Sequence, residues 1–345
     1  MFTIIYKAAL FTLVCISVFG SVRTQAQNPS GRQIKFAIYD QNPLLAPSPG
    51  EWDGRFAFSP HIVKYEDKLY MFYTGYSGGM NAGAISIGLA TSTDGLSWEK
   101  YESNPIVTAN EYFEQVSFPA VFIDDDEWVM FVNDVGIQSG KPRSTIWRLT
   151  APAPEGPWLV APETPIIEGL ADHWNRNLTV EAVMKVDNEY IAYFTGLDRF
   201  LRQSRIGLAR SVDGINWEFH DDPAISDTDA DPIIDTGAEN NWDGMSVSAG
   251  NPLPTDDGWE MFFFGYDREI SVAPAEGQNT VKMGYATSQD GIQWDREIEP
   301  IFDTEQMGWP RFYAIQFNDQ YFIYYDEYRP NQVYGINLMI GTIEE

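Results

Sequence analysis

The 345-residue chain sets 22 Lys and Arg against 50 Asp and Glu, a formal net charge of −28, and that balance excludes nucleic acid and anionic membrane surfaces as partners by simple repulsion. Its one cysteine, Cys15, lies in the N-terminal apolar run, so the remainder can hold no disulfide and depends on core burial. Eleven Trp and 14% aromatics suit a surface that stacks on sugars and equally a β-rich core.

In chain order, residues 1–26 read as a cleavable export peptide: one lysine, an apolar run shorter than the roughly 20 residues a spanning helix needs, and a small-residue exit ending at Ala26. A secreted or periplasmic protein follows, residues 27–345, read as a single domain that no longer touches the membrane.

From there the chain repeats. "NPLLAPSPGEW" (42–52), "NPIVTANEYF" (104–113), "TPIIEGLADHW" (164–174), "DPIIDTGAENNW" (231–242) and "EPIFDTEQMGW" (299–309) each give proline, two aliphatics, a gap and an aromatic. Aromatic and aliphatic runs follow, "DKLYMFYTG" (67–75), "EWVMFVND" (127–134), "EYIAYFTG" (189–196), "WEMFFFGYD" (259–267) and "QYFIYYDEY" (320–328), which predict buried strands entered from polar turns. "ATSTDGLSWEKY" (90–101), "ARSVDGINWEFH" (209–220) and "ATSQDGIQWDRE" (286–297), with "TAPAPEGPW" (150–158) as a worn copy, predict tight turns in which Gly takes positive φ and Asp caps.

One unit is then four strands in about 60 residues, the size of a propeller blade. Five proline strands meet only four Asp-Gly-type turns, because the last unit stops after its third strand at "YGINLMIGTIEE". The segment "IKFAIYDQNPLL" (34–45) supplies the missing fourth strand, so the expected fold is all-β, a five-bladed propeller closed by the N-terminal strand with no open seam. The blades fall at about 53–107, 108–167, 168–234, 235–302, and 303–345 with 34–45. Six-bladed sialidase-type rings carry a similar box, but one residue longer.

Strand parity sorts the acids. The Asp-Gly turns (Asp94, Asp213, Asp290) and the first hairpins fall on the far rim. The near rim gathers Trp52, Asp53, Arg55, Glu114, Arg176, Trp242, Asp243, Trp309 and Arg311 from loops between blades, with Asp134, Asp198, Arg199, Asp267, Arg268, Asp326 and Glu327 from loops within them. Tryptophans for stacking and charged groups for hydroxyls make a sugar site of that mouth. Aligning the innermost strands at Ser59, Phe118, Glu181 and Tyr313 puts Glu181 beside the axis, a carboxylate in an apolar strand whose burial raises its pKa as a general acid requires.

The blade rhythm over 34–345, with "IGLATSTDGLSWEKYESNPIV" and "MFYTG" as its clearest signatures, resembles the five-bladed propeller glycosidases, the superfamily of glycoside hydrolase families 32 and 43. The resemblance implies three inner-strand acids: two Asp before Pro, and a Glu before a small residue. Glu181-Ala182 matches the last, while Ser59-Pro60 and Phe118-Pro119 keep the prolines without the aspartates. If bonds are cleaved, Asp53 is the nearest replacement base, with Asp134 or Asp243 as the orienting carboxylate and Trp52, Arg55, His61, Glu114, Arg176, Asp198, Arg199, Trp242, Asp267, Arg268, Trp309 and Arg311 as substrate contacts. The expected activity is glycoside hydrolysis of furanosidic or related bonds in oligo- or polysaccharides. A carbohydrate-binding propeller without catalysis, and a phosphorylase or transglycosidase, stay open beside it. No cofactor is required; a structural calcium in the axial channel, held in some relatives, would need His61 or rim carboxylates. The acidic run "SDTDADP" (226–232) lacks the glycine and closing glutamate of a calcium loop.

Overall fold

The computed structural model describes residues 33–79, 84–134, 144–186, 188–198, 203–225, 230–248, 250–267, 281–303, 311–326 and 334–344. The export peptide, Asp227, Asp229, Arg199, Arg268, Trp309 and Glu327 lie outside them.

The described residues form strands in five separate antiparallel sheets. Blade one pairs Phe56–Tyr65, Lys68–Tyr76, Ile85–Ser92 and Glu99–Lys100; blade two is built on Val116–Asp124, Glu127–Asp134 and Thr145–Ala151. Blade three uses Asn177–Val186, Glu189–Asp198 and Gln203–Ser211, and blade four Gly258–Tyr266 and Val281–Ser288, with an inner strand broken into Ser246–Ser248 and Pro252–Thr255. Blade five runs Phe312–Phe317, Gln320–Asp326 and Ile336–Glu344, and its outer strand is Gln33–Ile38, in register from Gln33 opposite Glu344 to Ile38 opposite Met339. The seam therefore closes as the strand count requires. Asn42 seals it further, its amide donating to the Leu338 carbonyl and its oxygen accepting from the Leu338 amide.

Closure shows in the core, which is five apolar clusters, each made by two adjacent blades, from blades one and two round to five and one. The proline segments are shorter than expected. Each outer strand of blades two to four is split into two pieces that both pair with the third strand, as Glu218–Phe219 and Pro232–Ile234 do on Gln203–Ser211. Proline lacks the donor an unbroken strand would need.

The Asp-Gly turns are built as their chemistry predicts. Asp94 Oδ1 accepts the amides of Leu96 and Ser97, Ser92 Oγ accepts those of Asp94 and Gly95, and the Trp98 indole donates to the Gly95 carbonyl. Asp213 and Asp290 repeat the pattern. The accepted amides hold all three carboxyls below the ordinary aspartate range, even though burial pulls Asp94 and Asp290 the other way.

Rim tryptophans serve the blades rather than the mouth. Trp52 lies across its own blade where glycines remove the side chains beneath it: a Cβ on Gly75 would meet the ring at 2.1 Å, and one on Gly88 at 2.5 Å. Trp174 covers Gly196 and Gly207, and Trp242 covers Gly265 and Gly284, in the same way. The indoles of Trp174 and Trp242 also donate to Ala230 and Ile298, two residues before the proline of the same blade's outer strand. The recurrent aromatic and the recurrent proline thus belong to one clamp. Gly88→Ala is expected to cost about 1–3 kcal/mol by overpacking, read as a lowered denaturation midpoint; an unchanged midpoint would mean that the Trp52 ring is free to move.

Candidate active site

Three inner strands carry a bulge at the same level. The register slips between Phe58 and His61 in blade one, between Ser117 and Ala120 in blade two, and between Val180 and Ala182 in blade three. A bulge re-aims the side chain it frees. Ser59 and Phe118 are held there at φ 50° and 56°, a left-handed conformation that costs free energy in residues other than glycine and gathers at functional sites. Ser59, Phe118 and Glu181 all line one small recess at the axis, together with Pro60, His61, Pro119, Thr179, Val180, Arg311, Phe312 and Tyr313.

Blade five has no bulge, and its hairpin register places Arg311, not Tyr313, at this level: Tyr313 opposes Tyr324, Phe312 opposes Tyr325, and the Asp326 amide donates to the Arg311 carbonyl. Arg311 reaches across the axis and donates to Glu181 Oε1 at 2.8 Å and to Thr179 Oγ1 at 3.4 Å. Its guanidinium sits 4.5 Å above the Phe118 ring, so the residue at the blade-two bulge supplies a π-face to a cation. The Glu181 side chain is 10% exposed. Burial raises its pKa, against the pull of Arg311 and of hydrogen bonds from Thr195 and Arg311.

Behind this pair lies Asp326, 3% exposed. Its Oδ2 accepts the Ser59 amide at 2.9 Å and its Oδ1 the Arg311 amide at 2.8 Å. Burial pushes its carboxyl up to about 6, with repulsion from Glu181 adding to the rise and the two amides and the Arg311 charge opposing it. His61, 2% exposed, donates Nε2–H to the Val121 carbonyl at 2.8 Å and lies 4.2 Å from the Tyr313 ring. Burial pushes it down to about 4 despite backbone hydrogen bonds at Val121 and Glu181, so it is neutral at physiological pH. Among the described residues no three His, Cys, Asp or Glu converge as a metal site would require.

These two shifts act on stability with opposite sign. Between about pH 4 and 6 the folded state holds His61 neutral and Asp326 protonated, whereas the unfolded chain, with ordinary values of 6.5 and 3.8, protonates the histidine and ionises the aspartate. The histidine alone makes stability rise with pH across that window, and the aspartate alone makes it fall. In His61→Gln only the second slope remains. Stability of that variant, relative to the parent, is expected to increase as pH drops from 6 to 4 in urea titrations; parallel curves would contradict it.

The other expected site residues are dispersed. Asp53 is fully buried, paired with Lys100 and accepting from the Tyr73 hydroxyl and the Ser48 amide. Asp243 is its counterpart in blade four, paired with Arg296 at 3.0 Å, its carboxyl raised by burial against the pull of that arginine. Neither lines the recess. Both follow the clamp tryptophan of their blade, and their work is to anchor the loop that carries it. Asp134 and Asp198 end the second strands of blades two and three, half-buried, and Asp267 is exposed just past that of blade four. Arg55 and Glu114 are exposed, and Arg176 pairs with Asp172 at 3.8 Å rather than with Glu181. Trp52 and Trp242 have one face on glycine backbone. The sequence reading thus located Glu181, His61 and Arg311 in the recess and missed Asp326 as their partner.

Comparison with known proteins follows the same geometry. The family model described as the glycosyl hydrolases family 32 N-terminal domain matches residues 36–148. The chain resembles the five-bladed propeller glycosidases. The chain shares its fold with a glycosyl hydrolase from Bacteroides ovatus at 16% identity and TM-score 0.62, covering 88% of this chain and 92% of that one. A structure from work on the GH130 family of mannoside phosphorylases, which contains glycoside hydrolases that target β-1,2 mannosidic linkages in Candida mannan, aligns at 15% and 0.62 over 88% and 93%. A family 117 glycoside hydrolase produced by the marine bacterium Zobellia galactanivorans aligns at 14% and 0.56 over 90% of each chain. No curated protein matches in sequence.

Proposed function

We propose that the protein is an exported enzyme that cleaves glycosidic bonds of oligo- or polysaccharides, furanosidic ones among them, at the axial recess, with Glu181 as the general acid. The observation that carries this is Glu181 itself: a carboxyl freed by a bulge, nearly buried, raised in pKa and open only to the recess. A carboxyl raised by burial is the kind of group that can give a proton to a leaving oxygen. Arg311 fixes the carboxyl's orientation, and the buried Ser59 hydroxyl beside it has no hydrogen-bond partner among the described residues. Asp53 and Asp243 are engaged by Lys100 and Arg296, so the second carboxylate of a hydrolytic pair is the part of this reading that the recess lining does not itself supply.

One observation favours a second reading. Among the described residues the recess is lined by a single carboxylate, and phosphorolysis needs only one, because phosphate arrives as a competent nucleophile. A product screen on arabinans, xylans, fructans, galactans and β-mannosides, with and without inorganic phosphate and with Glu181→Gln alongside, separates the cases. Sugar release independent of phosphate supports hydrolysis, and release as sugar phosphate supports the second reading. Calorimetric binding with no product in either condition would leave a lectin and overturn the proposal.

A further inference from the structure

Three blades, the first, second and fifth, are pinned to the next by a side chain near the top of the second strand, and one of these pins carries a charge that its task does not need. In blade one the pin is Thr74, whose hydroxyl accepts the amide of the bulged Phe118 at 3.0 Å. Blade two uses Asn133, whose amide donates to the Leu178 carbonyl at 2.7 Å. Blade five uses Asp326 for the bulged Ser59. A neutral hydroxyl therefore suffices for the same bond in the same place, and a buried carboxylate is the costlier choice. What distinguishes the fifth position is its company, for Asp326 also takes the Arg311 amide and Arg311 holds Glu181.

We infer that Asp326 is a positioning residue of the axial site, which seats Arg311 against Glu181 and, through its negative charge, offsets that arginine so that Glu181 can keep a proton. The ion pair at 2.8 Å favours the ionised form of Glu181 and opposes the rise that burial causes; a negative charge beside the arginine weakens that opposition. Coupling between two carboxyls is mutual: Glu181 raises Asp326, so Asp326 raises Glu181, and their protons leave in two steps that belong to the pair. The groups facing them are Arg311 from blade five, the neutral His61 from blade one, Thr179 and Thr195 from blade three, and the Tyr266 hydroxyl from blade four, whose pKa burial raises, with Arg311 opposing and Asp326 adding to the rise. None of the others supplies a negative charge near neutral pH.

The inference rests on Glu181 as the acid, yet its test needs no substrate. In protein labelled with ¹³C at glutamate side-chain carboxyls, the Glu181 resonance is assigned by its loss in Glu181→Gln and followed from pH 3 to 9. The parent should give a curve with two inflections. Asp326→Asn, and Asp326→Thr copied from Thr74, should each give a single inflection displaced to lower pH by about one unit, a tenfold change in proton affinity. A single inflection in the parent, or superimposable Glu181 curves in parent and variants, would overturn the inference, and the parent arm decides even if neither variant folds. Absence of turnover in the parent, by contrast, bears on the proposed function and leaves this titration standing.

Discussion

Glu181→Gln is expected to lower kcat by about 10²–10⁴-fold, the usual worth of a positioned general acid, on whichever glycan the parent cleaves, while oligosaccharide affinity changes little. The amide oxygen of the new side chain still accepts from Arg311, so the recess keeps its shape; what disappears is the transferable proton. Substrates with activated leaving groups, which need no protonation, should recover most of the lost rate. That recovery separates acid catalysis from binding, since a group that merely held the sugar would be missed equally by both substrates. Parent-like turnover of natural glycan by Glu181→Gln would remove Glu181 from the chemistry.

The blades were legible because their signals are local. An Asp-Gly pair between apolar runs has few conformations open to it, and Asp94, Asp213 and Asp290 cap their turns as expected. Closure was legible by counting, because the last unit lacks an outer strand and the first residues of the fold supply one. The site was legible only in part. Its central carboxylate stood out as a charge in an apolar strand, but its partners depend on register, which the proline rhythm does not transmit. Counting back from the Phe317–Gln320 hairpin end moves the fifth-blade position from Tyr313 to Arg311, a shift of two residues that keeps the same face of the strand and so escapes any test of polarity.

Two further signals were present and went unread. Proline within an inner strand, at Pro60 and Pro119, marks a bulge, and the bulge is what turns the preceding residue toward the axis. Glycines inside strands two and three, Gly75 with Gly88, Gly196 with Gly207 and Gly265 with Gly284, mark a close approach, and the rings that approach are the tryptophans first taken for sugar platforms. Asp326 had no such mark. It sits where "YYDEY" runs into a loop, like any rim acid, and its meaning appears only once Ser59 from the far end of the chain is beside it.

Phe36→Ala is expected to cost about 3–5 kcal/mol, the range for emptying a large buried aromatic site, and to lower Tm by roughly 10 °C at about 2–4 °C per kcal/mol. Phe36 is the central residue of the closing strand, 1% exposed, with Phe262 of blade four at 5.7 Å and the Phe302 ring at 6.0 Å. It faces Gly341, where a Cβ would meet its ring at 2.6 Å, so the third strand of blade five is cut back to receive it. Ile38, two residues along on the same strand, is 47% exposed and provides the control: Ile38→Ala should stay within about 0.5 kcal/mol, as surface changes do. The difference between the two tests closure itself, because in an open ring both side chains would lie on a loose terminal strand and their loss would cost the same. Since Asp326, on the blade that this strand completes, holds Ser59 of blade one, a Phe36→Ala protein warmed toward its midpoint should lose activity before the sheets of blades two and three lose their amide protection. Simultaneous loss of both would show the five blades unfolding as one unit, with the site no more fragile than the ring that carries it.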